Sequence, residues 1–261
     1  MNDKSAPSLH YWSPTARFSD LGKQYAQYRP SYPQEALEAI VAGTIPGSTL
    51  VDIGAGTGIS SRALADLGYE VIAVEPNAGM RNAAQPHRRV RWVDGTGENT
   101  GLPDHCCVRV VYAQAFHWVE PTAAIAEAIR ILEPGGRLCA IWNEADPDCP
   151  VANAYKEATL LYATNPEVAQ VRTLAGRSIL ESPQLADANL QLFRQVVSMG
   201  LEQLIGRAFS TTYAPTESKA RAELAETLTE VFQRNKNESD VVSFGYRVSL
   251  YSAAAAHNVK K

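Results

Sequence analysis

Apolar, β-branched runs recur at short intervals through the first half of the chain. They are TLVDI (49–53), EVIAVE (70–75), RVRWV (89–93), RVVYA (109–113) and RLCAIW (137–142). Helical or loop segments separate them, and strand–helix alternation of this kind implies a parallel sheet with helices on both faces. Upstream, a helical pattern runs from Phe18 to Tyr28 until RPSYP (29–33) stops it, because proline disfavours helix in the residue before it. PQEALEAIVAG (33–43) predicts a second helix, with Pro33 at its first turn and Gly43 at its end.

After Trp142 the rhythm breaks. PVANAYKEATLLYATN (150–165) predicts a helix, and the region to about residue 190 reads as further helix without a clear strand. FRQVVSM (193–199) predicts a strand. TESKARAELAETLTEVFQR (216–234) predicts a helix with Thr216 as N-cap and Ala220, Leu224, Leu228 and Val231 on one stripe. VVSFGYRVSLYS (241–252) closes as a last strand. The expected division is an N-terminal arm with covering helices over 1–44 (residues 1–14 a loose arm), a core over 45–145, a helical lid over 146–190, and a C-terminal part of the core sheet over 191–261.

Composition narrows the class. Hydrophobic residues make up 45% of 261, enough for the core of one large α/β domain. A net charge of −4 argues against general affinity for nucleic acid, and the basic cluster PHRRVR (86–91) reads as a solvated turn entering a strand. Cys106, Cys107, Cys139 and Cys149 form no CxxC pair, so no metal site is expected and a reducing compartment is the simpler reading. With no apolar signal region and no run near ~18 apolar residues, the expectation is a soluble, cytoplasmic protein without a membrane partner.

The chemistry starts at TLVDIGAGTGISS (49–61). A dinucleotide fingerprint places glycines first, third and sixth. Here Gly54, Gly56 and Gly58 alternate and Ile59 holds the sixth place; a GxxxxGK[ST] phosphate loop is absent as well. Asp52 would put negative charge beside a pyrophosphate, so an acid there suits a cationic ligand. At the end of the second strand, Glu75 can accept hydrogen bonds from two ribose hydroxyls. The plainer readings are a tight turn for the glycines, a helix cap for Asp52, and an ordinary strand end for Glu75–Pro76.

The D-x-G-x-G-x-G pattern with a later acid resembles the class I S-adenosylmethionine-dependent methyltransferases. YAQYRPSYP (25–33), GENTGLP (97–103), YAQAFHW (112–118) and ILEPGGRLCAIWNE (131–144) are similar to motifs of their small-molecule subgroup, methyltransferase type 11-like. The resemblance covers residues 17–145, and 192–252 is similar in element order. It departs in the adenine loop, where Thr96 and Gly97 replace the Asp or Ala of many relatives. It implies a doubly wound, mostly parallel seven-stranded sheet of Rossmann-like methyltransferase fold, with an inserted helical lid and an antiparallel C-terminal strand. The implied cofactor is S-adenosylmethionine, held by Asp52, Gly54, Gly56, Gly58, Glu75, Pro76, Gly97 and Glu98. Tyr25 and Arg29 would cover it, with Arg29 near its carboxylate. Gln114 would line the methionine side and Trp118 the adenine pocket.

The implied reaction is in-line SN2 transfer of methyl to a small-molecule acceptor. A hydroxyl or acidic carbon would want a base, for which His117 is the candidate; a carboxylate or neutral amine needs none and leaves His117 to pack. Trp142 and Asn143 would face substrate or cap a turn. Tyr155, Tyr162 and Tyr251, with Arg172 and Arg177, are further acceptor-pocket candidates beside core and surface roles. Three other readings stand beside this one: a non-catalytic S-adenosylmethionine-binding partner or regulator; a nucleic-acid methyltransferase, against which the missing [DNS]PP[YFW] tetrapeptide counts; and an NAD-dependent oxidoreductase. The pattern specifies no oligomeric state.

Overall fold

The apolar runs do become strands of one sheet in the computed structural model, which describes residues 22–166 and 175–256. Helices α1 (Gly22–Tyr28) and α2 (Gln34–Val41) precede β1 (Thr49–Ile53), α3 (Ile59–Asp66), β2 (Glu70–Val74), α4 (Ala78–Asn82) and β3 (Val90–Val93). Next come β4 (Cys107–Ala113), a 3-10 turn (Phe116–Trp118), α5 (Pro121–Ile131) and β5 (Leu132–Ala145). Then α6 (Pro150–Leu161), α7 (Arg177–Glu181), β6 (Leu185–Met199), α8 (Leu201–Phe209), α9 (Ser218–Asn235) and β7 (Val242–Ala255) follow.

The seven strands lie in the order β3-β2-β1-β4-β5-β7-β6. The pairs β1–β2, β1–β4, β2–β3 and β4–β5 are parallel, and β7 runs antiparallel between β5 and β6. This is a doubly wound, mostly parallel seven-stranded sheet with an antiparallel β7, the architecture that the resemblance implied. Connections leave β1 in opposite directions toward β2 and β4, which opens a crevice at the carboxyl ends of those strands.

Side-chain alternation along β1 feeds two cores. Leu50 joins Ile40, Leu64, Phe232 and Tyr246 on one face. Val51 and Ile53 join Phe116, Ile125 and Ile131 on the other. Strands covered on both faces read as continuous apolar runs, and each fully buried aliphatic side chain contributes roughly 1.5–3 kcal/mol. Arg109 is the polar exception inside β4. Its Nε donates to Ile40 O at 2.8 Å and its Nη2 to Ala42 O at 2.7 Å, so it satisfies carbonyls at the end of α2.

Several boundaries differ from the sequence reading, two of them instructively. β6 begins at Leu185 rather than 193; its first half, LADANLQL, sits on the sheet edge, where solvent exposure removes the need for apolar alternation. The stripe of α9 is Leu224, Leu228 and Phe232, with Glu217 rather than Thr216 at the N-cap. Residues 1–14 and Arg172 lie outside the described residues. Among the described residues, no helix is long and apolar enough to cross a membrane, and no group of three metal-ligating side chains gathers.

Candidate functional site

The loop after β1 turns across the carboxyl end of the sheet because glycine permits backbone angles that side chains resist. Gly56 has φ 58°, and Gly58, which starts α3, has φ 75°. Hydrogen bonds tie the loop to the next strand: Gly54 N–H donates to Val74 O at 2.8 Å, and Gly56 N–H to Glu75 Oε2 at 2.9 Å. A Cβ on Gly54 would stand 2.6 Å from Ala115 Cβ at the end of β4. Gly54 and Gly56 line a cavity of about 300 Å³. Gly58 does not; a Cβ there would stand 2.9 Å from the Trp92 ring. The third glycine therefore serves packing of the loop on β3, a correction to its expected place on the cofactor.

The two acids part company. Glu75, with Pro76, is on the cavity wall, and it is nearly buried. Asn77 N–H donates to its Oε1 at 2.8 Å while Gly56 holds Oε2. Burial raises its carboxyl above the usual carboxylate range, and these backbone hydrogen bonds oppose the rise. Asp52 points elsewhere, because alternation along β1 sends it to the side of Leu50. It lies fully buried under the loop, where Ser60 Oγ and Ser61 Oγ, both in α3, donate to its Oδ2 at 2.6 Å. Burial lifts its pKa from 3.8 to about 6 against these two bonds. Its Oδ1 has no partner. Asp52 thus supports the loop from below rather than lining the cavity, which corrects its reading as a direct ligand.

A second wall of the cavity comes from the loop after β3 and the end of β4. Gly97, Glu98, Gln114 and Trp118 all face the cavity. Glu98 Oε1 accepts from Glu120 N–H at 2.9 Å, fastening this loop to the start of α5. A Cβ on Gly97 would stand 2.5 Å from Val119 Cγ1, so only glycine fits beneath that turn. Gln114 adopts φ 59°, a conformation that bulky residues rarely take and that clusters at functional sites. Its amide donates to Asn143 O at 3.2 Å, and Asn143 also lines the cavity.

His117 stands behind this wall. It is 5% exposed and absent from the lining, and Trp142 Nε1–H donates to its Nδ1 at 3.3 Å. In the neutral ring the proton then sits on Nε2. His117 packs against Trp142 and Trp118 and is not placed to take a proton from a bound acceptor, which corrects its reading as a base.

A cover closes the remaining side. Tyr25, Arg29 and Pro30 line the cavity from α1 and the turn after it. Arg29 Nε donates to Ser210 Oγ at 3.0 Å and its Nη2 to Ser210 O at 3.1 Å, which docks α1 on the end of α8. Tyr28 lies over Gly206, where any Cβ would stand 2.6 Å from the ring. Among its described residues, the stretch 146–190 puts nothing on the cavity wall; Tyr155 is core, and Arg177 is exposed. Arg207 and Tyr246 also line the cavity, and sequence reasoning missed both. A signal existed: Leu204, Arg207 and Ala208 share the buried face of α8, and an arginine on such a face needs a reason.

Residues 51–140 match the methyltransferase domain family. An uncharacterized methyltransferase of Mycobacterium tuberculosis is 40% identical over 125 residues, 47% of this chain and 50% of that protein. A demethylmenaquinone methyltransferase of Renibacterium salmoninarum is 37% identical over 100 residues, 37% of this chain and 41% of that protein. The chain spans about half the length of the curated relatives it matches. Among solved structures, a candidate type II methyltransferase from Anaeromyxobacter dehalogenans superposes with TM-score 0.60 at 23% identity, over 86% of this chain and 97% of that one. At that identity the likeness shows the shared fold.

Proposed function

We propose that this protein is an S-adenosylmethionine-dependent methyltransferase acting on a small-molecule acceptor. The observation that carries the reading is the Gly56–Glu75 pair. Each carboxylate oxygen of Glu75 is oriented by one backbone N–H and keeps further lone pairs at the cavity wall. That arrangement suits the two vicinal hydroxyls of a ribose. Beside the glycines the lining presents the Glu75 carboxylate and no lysine or arginine, which suits an adenosine without a diphosphate. The likeness of residues 51–140 to methyltransferase domains supports the same reading.

When bound, the cofactor supplies a methyl group on a sulfonium sulfur, an electrophile that needs no further activation. The chain's own work is then placement and exclusion of water. Glu75 holds the ribose, Gly54 and Gly56 let the backbone come close, and Gly97, Glu98 and Trp118 frame the base. Tyr25 and Arg29 cover the methionine end, with Gln114 and Asn143 beside it. Alignment of two reactants in a closed site can lower a barrier by up to about 7–11 kcal/mol. No imidazole reaches the cavity wall among the described residues, so the mechanism draws its rate from alignment and not from His117.

Parallel calorimetric titrations with S-adenosylmethionine, S-adenosylhomocysteine and NADH test the reading. Binding of the first two and not the third is expected; tight NADH binding with no response to the sulfonium compound overturns it. A screen of small acceptors for S-adenosylhomocysteine release then identifies the substrate.

A further inference from the structure

Arg207 is a cation without a counterion. It is 7% exposed, and its guanidinium carbon lies 4.7 Å from the centroid of Tyr155, 5.0 Å from Phe244 and 5.1 Å from Tyr246. Among the described residues no carboxylate pairs with it, and its Nε is buried without a hydrogen-bond partner. The hydroxyls of Tyr155 and Tyr246 beside it are also buried without partners. Aromatic faces attract a guanidinium, yet leaving a buried charge unpaired is costly unless something outside the chain completes it. Arg109 inside the sheet and Arg29 on the cover do spend donors on the chain, Arg109 on Ile40 and Ala42 and Arg29 on Ser210. Arg207 faces the same cavity as Glu75 with its Nε donor unspent.

We propose that Arg207 recognises a carboxylate on the methyl acceptor. The inference rests on the methyltransferase reading, in which Arg29 meets the carboxylate of the cofactor. The two guanidinium groups of the covering wall then answer two carboxylates, one from each reactant. Ser210 accepts from Arg29 Nε and donates its own hydroxyl to the backbone carbonyl of Arg207 at 2.8 Å, which ties Arg29 to the helix that carries Arg207. The planar fork of a guanidinium binds a carboxylate through two parallel hydrogen bonds and fixes its orientation. Tyr246, on the cavity wall, adds a hydroxyl donor, and the rings provide an apolar seat for the acceptor's body. A neutral acceptor would leave the buried charge unanswered, so the site selects against it.

The test uses the full chain loaded with S-adenosylhomocysteine. Acetate, succinate, benzoate and citrate are titrated calorimetrically against their amides, with inorganic phosphate as a further probe, in wild type, Arg207→Met and Arg207→Lys. At least one carboxylate should bind about tenfold or more tightly than its amide. Arg207→Met should abolish that preference, and Arg207→Lys should retain part of it. S-adenosylhomocysteine affinity should stay unchanged in both variants. Melting should confirm folding of Arg207→Met, since an apolar replacement of an unpaired buried cation is tolerated. Three results overturn the inference: no carboxylate preferred over its amide, an equal preference in Arg207→Met, or phosphate preferred over every carboxylate. Loss of S-adenosylhomocysteine affinity in Arg207→Met overturns it too, by assigning Arg207 to the cofactor. If wild type binds no S-adenosylhomocysteine at all, it is the methyltransferase reading that fails.

Discussion

Gly56 donates its backbone N–H to Oε2 of Glu75 across 2.9 Å and nineteen residues of sequence. The bond locks the loop after β1 to the end of β2, so the place where a backbone can approach a ligand and the place where a carboxylate can accept from one form a single rigid unit. Such preorganisation lowers the ordering cost of binding.

Glu75→Gln keeps the shape but sets an amide N–H₂ against a backbone N–H donor and removes the charge. Charge-assisted hydrogen bonds contribute about 1.5–3 kcal/mol each, so S-adenosylhomocysteine affinity should fall about 10- to 100-fold. Calorimetry on both proteins checks it, and equal dissociation constants would remove Glu75 from the ribose.

Gly56→Ala and Gly58→Ala should separate binding from stability. Both positions have positive φ, which costs a side chain roughly 1 kcal/mol or more. Gly56 lines the cavity, and a Cβ there would have 3.3 Å to Met80 Cε; its variant should lose mainly cofactor affinity. At Gly58 a Cβ meets the Trp92 ring at 2.9 Å, so that variant should lose mainly melting temperature. Paired melting and titration curves decide, and the reverse assignment would refute the placement of Gly58.

His117→Ala should preserve cofactor affinity and, with an acceptor from the screen, turnover to within about tenfold, since general base catalysis contributes 10²–10⁴ where it operates. It strips the Trp142 indole N–H of its acceptor, a cost of about 1–3 kcal/mol. A lower melting temperature with intact turnover is expected. A drop in turnover of a hundredfold or more would restore the base.

Asp52 gives a pH signature. Its pKa is raised from 3.8 to about 6, so folding favours the protonated form. That contribution is complete below pH 4 and is lost as pH rises through 6, roughly 3 kcal/mol in all. Asp52→Asn does not titrate, so its melting temperature relative to wild type should climb by about 5–10 °C between pH 4 and pH 7, using about 2–4 °C per kcal/mol for large domains. A difference that stays constant over that range would show that Asp52 has an ordinary pKa in the folded protein.

Much of the site was legible because it is local. Strand, glycine loop and helix are neighbours in sequence, so TLVDIGAGTGISS placed Gly54 and Gly56, and the end of EVIAVE placed Glu75, with no knowledge of the fold. The direction in which a residue points was less legible. Asp52 and His117 lie at or just beyond strand ends, as Glu75 and Gln114 do, yet Asp52 turns toward α3 and His117 toward Trp142 while the other two face the cavity. Facing is decided by which neighbour packs where, and one residue of phase along a strand reverses it.

The chain's own pattern determined the α/β class, the run of strands from β1 to β5, and the chemistry of the glycine loop with its later acid. Those follow from short-range periodicity and from backbone angles that only glycine tolerates. Tertiary structure decided the start of the edge strand β6, the removal of Gly58, Asp52 and His117 from the cavity wall, and the arrival there of Arg207 and Tyr246 from the far end of the chain. Those depend on contacts between residues distant in sequence, and an unpaired buried charge becomes visible only once every partner it lacks has been placed.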